Sequence, residues 1–235
     1  MATADERRED RRVLAALRKV PVLAGAPADR LETLLGSAKV ETFRPRQVIY
    51  LPGDRSFGVH LLTAGRVKVS KVTRDGKELT LAYRLPGDFF GEGCLIEGGP
   101  REEMAESMEP SSSVELARED LVELLRDSAA VSFQFTRALI ERQRDLESKV
   151  EQLIFKDVGS KLAELLLKLG SEHGIENKRG LALAVKITHQ EMANLIGSTR
   201  ETVSLTLSQF KRKGFIATEG RRVILSDQEG LRMMA

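Results

Sequence analysis

The sequence predicts an α+β chain written in three successive styles: short glycine-punctuated strands, one long charged helix, and a C-terminal winged helix-turn-helix. Three observations predict it. Between Glu41 and Leu116, short β-type runs are separated by Gly53, Gly65, Gly76, Gly87, Gly91 and Gly93, the pattern of a small barrel or jelly roll. From about Asp120 to Gly170 the pattern turns helical, and "FTRALIERQRDLESKVEQLIF" contains neither Gly nor Pro. Near the end, two capped helices meet at Gly197 and a hairpin follows. The expected domains are residues 1–127, 128–156 and 157–235.

In chain order, Arg11 to Lys39 reads as short amphipathic helices broken at Pro21, Pro27 and Gly36. The runs "QVIYL", "VHLLTAG", "RVKVSKV", "LTLAYRL" and "SSVELA" read as strands, with an Asp75-Gly76 hairpin turn inside "TRDGKE". On the long helix Leu139, Leu146, Val150 and Leu153 form one stripe, the mark of a helix–helix seam; the alternative is a helix lying on its own domain. Asp157 is the expected N-cap of "VGSKLAELLLKLG", with Gly170 ending that helix and "SEHGIENKRG" forming a polar loop. A strand "LALAVKI" comes next. Two capping boxes then open the helix pair: Thr188 with Glu191, and Ser198 with Glu201. "FIATEGRRVIL" is a hairpin turning at Glu219-Gly220, and Ser226 caps a short tail helix.

Composition removes several function classes. No run of eighteen apolar residues exists, so no membrane partner is expected. The charged opening "MATADERREDRRVLAAL" lacks the apolar core of a signal peptide, and a cytoplasmic location is expected. A single cysteine, Cys94, excludes an internal disulfide framework and a cysteine-ligated cluster. His60, His173 and His189 have no metal-ligand spacing, so no metal is expected, and nothing supports a haem. An enzyme would need a phosphate-cradling motif or a catalytic constellation. "GDFFGEG" has neither the G-x-x-x-x-G-K-[ST] pattern nor the strand–helix context, and a cupin would need clustered histidines. No catalytic residue stands out.

The net charge of +2 is uninformative, but its distribution is not. From Lys186 to Arg222 there are seven basic residues against three acidic ones, a local +4 suited to phosphates. Within "GSTRETVSLTLSQFKRKGFI", Val203, Leu207 and Phe210 repeat at helical spacing and face inward. Arg200, Glu201, Ser204, Leu205 and Ser208 are left facing out. An arginine at a helix start can bond guanine O6 and N7, and a carboxylate can accept from cytosine N4. Arg200, Glu201, Ser204 and Leu205 are therefore the candidate base readers. Thr188, His189, Ser198, Thr199, Lys211, Arg212, Arg221 and Arg222 are the candidate phosphate contacts.

"KITHQEMANLIGSTRETVSLTLSQFKRKGFI" resembles the helix-turn-helix of the cyclic-AMP receptor protein/FNR (CRP/FNR) family of bacterial transcription regulators. The glycine-punctuated β-roll, "PGDFFGEG", the long helix and "VEQLIFKDV" occur in the family's order too, so the resemblance covers the chain from about residue 14. It implies a cyclic-nucleotide-binding-type β-roll, a coiled-coil dimerisation helix, and a homodimer on a palindromic double-stranded operator. It also implies contact with RNA polymerase, for which the Gly170–Gly180 loop matches the region used by activating relatives.

The same resemblance outlines an effector pocket of Gly91, Glu92, Cys94, Arg101, Leu146 and Glu147. Gly91-Glu92 matches the pair whose glutamate takes a ribose hydroxyl, and Arg101 matches the phosphate-binding arginine after a one-residue shift. Glu102 and Glu103 stand where a serine would help hold the phosphate, and the adenine-contacting threonine-serine pair falls on Leu146-Glu147. Cyclic AMP is therefore disfavoured, while another nucleotide or small molecule is admitted and no cofactor is certain. Cys94 is a redox sensor or a small buried hydrophobe, and the second is favoured. The alternative to a gated switch is a constitutive regulator whose β-roll is only a platform.

Overall fold

The computed structural model describes residues 4–220 and 222–235, apart from the side chains of residues 4–9, Glu97 and Gln152. The chain divides into two compact units, the first ending at Arg144 and the second running Asp145–Ala235.

The first unit opens with α1 (Ala4–Leu17), a 3-10 turn at Pro21–Leu23, and α2 (Ala28–Leu35). Eight strands follow: β1 (Lys39–Phe43), β2 (Val48–Tyr50), β3 (Gly58–Ala64), β4 (Val67–Val72), β5 (Glu78–Arg84), β6 (Phe89–Phe90), β7 (Met104–Ser107) and β8 (Ser111–Ala117), with the one-turn α3 (Cys94–Glu97) between β6 and β7. They form two antiparallel four-stranded sheets, β1-β8-β3-β6 and β2-β7-β4-β5. Next come α4 (Arg118–Asp127) and the start of α5 (Ala129–Phe155), which carries the chain across the boundary between the units.

Two apolar clusters hold this unit. Tyr50, Leu62, Val67, Val69, Phe90 and Ala105 form an interior cluster drawn from both sheets. Leu17, Leu34, Leu61, Leu116, Leu121 and Val131 cement the helices onto the first sheet. Each fully buried leucine contributes about 1.5–3 kcal/mol relative to exposure, so the clusters outweigh any surface ion pair. The expected turn at Asp75-Gly76 is present, closed by bonds from Gly76 N to Thr73 O and Thr73 N to Lys77 O. Strands β1, β6 and β7 were not expected. All three are short; β1 forms by pairing with β8, and β7 by pairing with β2 and β4.

The second unit contains the end of α5, then α6 (Val158–His173), β9 (Gly174–Asn177), β10 (Gly180–Leu183), α7 (His189–Ile196), α8 (Arg200–Arg212), β11 (Ile216–Glu219), β12 (Arg222–Leu225) and α9 (Gln228–Arg232). Its sheet runs β11-β12-β10-β9. The core gathers Leu162 and Leu166 of α6, Met192 and Ile196 of α7, and Val203, Leu207 and Phe210 of α8.

Five expectations are corrected in the second unit. Gly170 does not end α6, which continues to His173; Gly170 is buried where the sheet packs, and a Cβ there would come 2.7 Å from Leu225 Cδ1. The polar stretch after it is not all loop, because Gly174–Asn177 pairs with β10. The strand expected over "LALAVKI" stops at Leu183. The caps of α8 and α9 lie one residue later than expected: Thr199, not Ser198, accepts from Thr202 N, and Asp227, not Ser226, accepts from Gly230 N.

Candidate nucleic-acid interface and effector cleft

The helix pair of the second unit is set by local chemistry. Thr188 and Glu191 form the full capping box at the start of α7, Thr188 Oγ1 accepting from Glu191 N and Glu191 Oε2 from Thr188 N. Gly197 ends α7 in the left-handed conformation (φ 63°), which a side chain resists, and this sets the tight turn into α8. Ser198 serves that turn through its backbone, donating to Ala193 O. Glu201 therefore has no capping role.

On α8, Val203, Leu207 and Phe210 are buried as expected. Arg200, Glu201, Leu205 and Ser208 are exposed, Leu205 at 67%. Among the described residues no ion pair or hydrogen bond engages the side chain of Arg200, Glu201 or Arg212. Ser204 differs. Its hydroxyl donates to Arg200 O at 2.8 Å, and His189 Nδ1 lies 2.8 Å from Ser204 Oγ. Lys211 donates to Thr218 Oγ1 at 3.1 Å, tying α8 to the wing, and Lys213 lies over the Phe215 ring. Arg222 is exposed on β12, and Arg221 lies outside the described residues.

In the first unit, Gly91, Cys94 and Arg101 share a cleft of about 430 Å³ with Ser56, Glu102 and Glu103. The cations around it are already engaged. Arg101 is buried at 6% exposure; it donates to Gly91 O at 2.6 Å and Gly58 O at 2.9 Å, with its guanidinium 4.4 Å over the Tyr50 ring. Gly91 has φ 78°, and a Cβ there would collide with the Arg101 guanidinium. This glycine is thus required for the arginine's seat. Glu92 is paired at 2.6 Å with Arg142 of α5, which also donates to Phe89 O and stacks on the Phe89 ring. Burial lowers the Arg142 pKa, and Glu92 opposes that shift.

Glu102 points into solvent and pairs with Lys71 at 3.2 Å. Glu103 accepts from the Tyr50 hydroxyl; burial and then Glu92 push its carboxyl pKa up. Of the two carboxylates expected to repel a phosphate, Glu103 is part-buried against Tyr50, while Glu102 is exposed and meets only the exposed Lys71. Cys94 is buried in the apolar core, as the favoured reading held, and its carbonyl accepts from Arg118 Nε. His60 is buried between Phe90 and Tyr50, and burial followed by Arg101 lowers its pKa to about 3, so it stays neutral beside Glu41 and Glu115.

Leu146 and Glu147, expected at this pocket, belong to the second unit and are exposed. Leu139, Leu146 and Val150 are exposed along α5 and Leu153 half-buried, and Ile140 and Ile154 widen the apolar face. Sequence reading missed Arg142, which sits in a run of charges with nothing to distinguish it. It also missed Tyr50 as the platform for Arg101. Among the described residues no cluster of histidine, cysteine or carboxylate side chains could hold a metal, and no helix is long and apolar enough to cross a membrane.

Residues 160–234 match the Crp-like helix-turn-helix domain, and residues 40–128 match the cyclic nucleotide-binding domain. A CRP-like cAMP-activated global transcriptional regulator of Mycobacterium tuberculosis is 34% identical over 180 residues, 77% of this chain and 79% of the relative. The global nitrogen regulator of a Nostoc species is 31% identical over 186 residues, 78% and 83% of the two chains. Among solved structures, the c-di-GMP responsive global regulator CLP of Xanthomonas campestris superposes with a TM-score of 0.75 at 25% identity, covering 85% of this chain and 99% of that one.

Proposed function

The chain belongs to the CRP/FNR family of transcription regulators, and from that premise we propose that it is a homodimeric, sequence-specific DNA-binding regulator, not an enzyme, acting in the cytoplasm. The observation that carries the reading is the exposed, unpartnered Arg200-Glu201 pair at the start of α8. Charged side chains that find no partner within the fold are free to pair with base edges. Arg200 takes a guanine, Glu201 accepts from a cytosine, and Leu205 packs against a thymine methyl. Thr188, His189, Ser198, Thr199, Lys211, Arg212, Arg221 and Arg222 line the phosphates.

The three-part division stands within the proposal: a sensor roll (1–127), a dimerisation helix (128–156) and a DNA-binding domain (157–235). The apolar face of Leu139, Leu146, Val150 and Leu153 supports the seam, since exposed leucines on a charged helix are best explained by a second helix. Two recognition helices in such a dimer enter successive major grooves about 34 Å apart and read a palindrome. RNA polymerase is the further partner.

The roll is read as the seat of a small-molecule effector in the cleft of Gly91, Cys94 and Arg101, with Glu92 next to Gly91 in the chain. Cyclic AMP fits it poorly. The phosphate-binding candidate Arg101 is committed to two backbone carbonyls, and the ribose-binding candidate Glu92 is committed to Arg142. The same engaged charges favour a second reading, a constitutive regulator whose roll is a platform. Selection from randomised duplex DNA, with and without cyclic mono- and dinucleotides, tests both. Enrichment of a palindrome only with a ligand supports gating, and enrichment without one supports the constitutive reading. No enriched motif under any condition refutes the DNA-regulator proposal. Calorimetry should show weak or no binding of cyclic AMP; tight saturable binding would refute that part.

A further inference from the structure

Ser204 was expected to read a base, but its bonds point to another role. A serine hydroxyl carries one proton. That proton goes to Arg200 O at 2.8 Å, so toward any other group Ser204 can only accept. His189 Nδ1 lies 2.8 Å away and must then be the donor, which fixes the imidazole as the Nδ1–H tautomer. In that tautomer a neutral ring presents a lone pair at Nε2. His189 is exposed, and among the described residues Nε2 has no hydrogen-bond partner.

The chemical consequence is sharp. A phosphate oxygen only accepts, so neutral His189 held this way offers it nothing. Protonation converts Nε2 to a donor and adds a positive charge while keeping the bond to Ser204. We propose that Ser204 is a positioning residue that makes His189 a proton-gated phosphate contact, so that DNA affinity is linked to pH through this pair. The inference rests on the DNA-regulator reading and adds a regulation to it.

Charged groups stand on α7 itself and on the elements packed against it. On its own side stand Lys186 and Glu191, and the Glu191 carboxylate is occupied by Thr188 N. On α8 stand Arg200 and Glu201. On α6, which also packs against α7, Lys161 donates to Leu153 O, Glu164 pairs with Lys156, and Lys168 pairs with Glu172, which also lies beside His173. No described residue forms an ion pair with His189.

The test is fluorescence anisotropy on a duplex carrying the selected site, from pH 5.5 to 8.5 at several salt concentrations. For the full-length protein, affinity should rise on the order of tenfold from pH 8 to pH 6. The salt slope should steepen by about 0.9 per newly engaged phosphate, so by about two for a dimer. His189→Arg should hold the steep slope at every pH, and His189→Gln should hold the shallow one. Ser204→Ala is decisive: it frees the tautomer, lets neutral His189 donate through Nε2, and should raise affinity at pH 8 above wild type and make the pH dependence shallower. A wild-type profile matching His189→Gln, or a Ser204→Ala profile as steep as wild type, would overturn the inference while leaving the DNA-regulator reading intact. Absence of specific binding at every pH would overturn that reading and this inference together.

Discussion

The cleft of the first unit and the recognition helix of the second use the same two side chains, arginine and glutamate, in opposite ways. In the cleft the arginines are engaged from within: Arg101 by two carbonyls and the Tyr50 ring, although its Nε has no partner among the described residues, and Arg142 by Glu92 and Phe89 O. At α8, Arg200 and Glu201 have no answering group among the described residues. A buried charge must be paired because leaving it unpaired costs several kcal/mol, whereas an exposed one loses little by waiting for a partner. Internally answered charge is structural; charge left open on a rigid, capped helix is available to something outside.

The sharpest break concerns apolar side chains under the same logic. Leu146 is open on α5 as Arg200 is on α8, and a partner helix would cover it. Replacing Leu146 and Leu153 together with Asp should abolish the dimer, at a cost of several kcal/mol, and sedimentation should show monomers. A DNA-binding dimer that survives both changes removes α5 as the seam.

Next in size is the contrast between two arginines. Arg101→Ala strands the carbonyls of Gly91 and Gly58 and should lower the stability of the first unit by about 2–4 kcal/mol in urea titrations. Arg200→Ala should change stability by less than about 0.5 kcal/mol. Equal effects would erase the distinction between the regions.

A pH scan sharpens it further. His60 is neutral in the fold down to about pH 3, while an unfolded imidazole takes its proton near 6.5. Below pH 6.5 the unfolded state therefore binds more protons, and stability is lost as pH falls from 6.5 toward 3. The slope should approach about 1.4 kcal/mol per pH unit. Glu41 and Glu103, whose folded pKa values are raised chiefly by burial, act in the opposite sense as pH nears the carboxylate range. His60→Gln should flatten the upper part of this dependence. The smallest effect is at a single exposed cation: Arg212→Gln should weaken binding to all sequences alike and lower the salt slope by about 0.9 per lost phosphate contact.

Much of this was legible in the sequence because it depends on neighbours in the chain. The Asp75-Gly76 turn, the Thr188/Glu191 capping box, the Asp157 cap and the inward trio Val203, Leu207 and Phe210 all follow from residues a few positions apart. What was missed depends on distant partners. Strand β7 exists through pairing with β2 and β4, and β9 through pairing with β10. Both displaced caps lie where two cap-competent residues adjoin, Ser198-Thr199 and Ser226-Asp227, and the backbone leaving the turn chooses between them. In the cleft, Gly91 was legible as a special position, but its reason, the seat of Arg101, was not. The bond between His189 and Ser204 joins residues fifteen apart on two helices and has no sequence signature.

In the proposed regulator, base reading by α8 rests above all on Arg200. The most direct measurement is parallel selection from randomised duplex DNA with the wild-type protein and Arg200→Ala. The expected result is a palindrome in which the variant loses preference at one G·C pair per half-site, at a cost of about 1–3 kcal/mol each, with the remaining positions kept. Recovery of an unchanged motif by Arg200→Ala would contradict the claim.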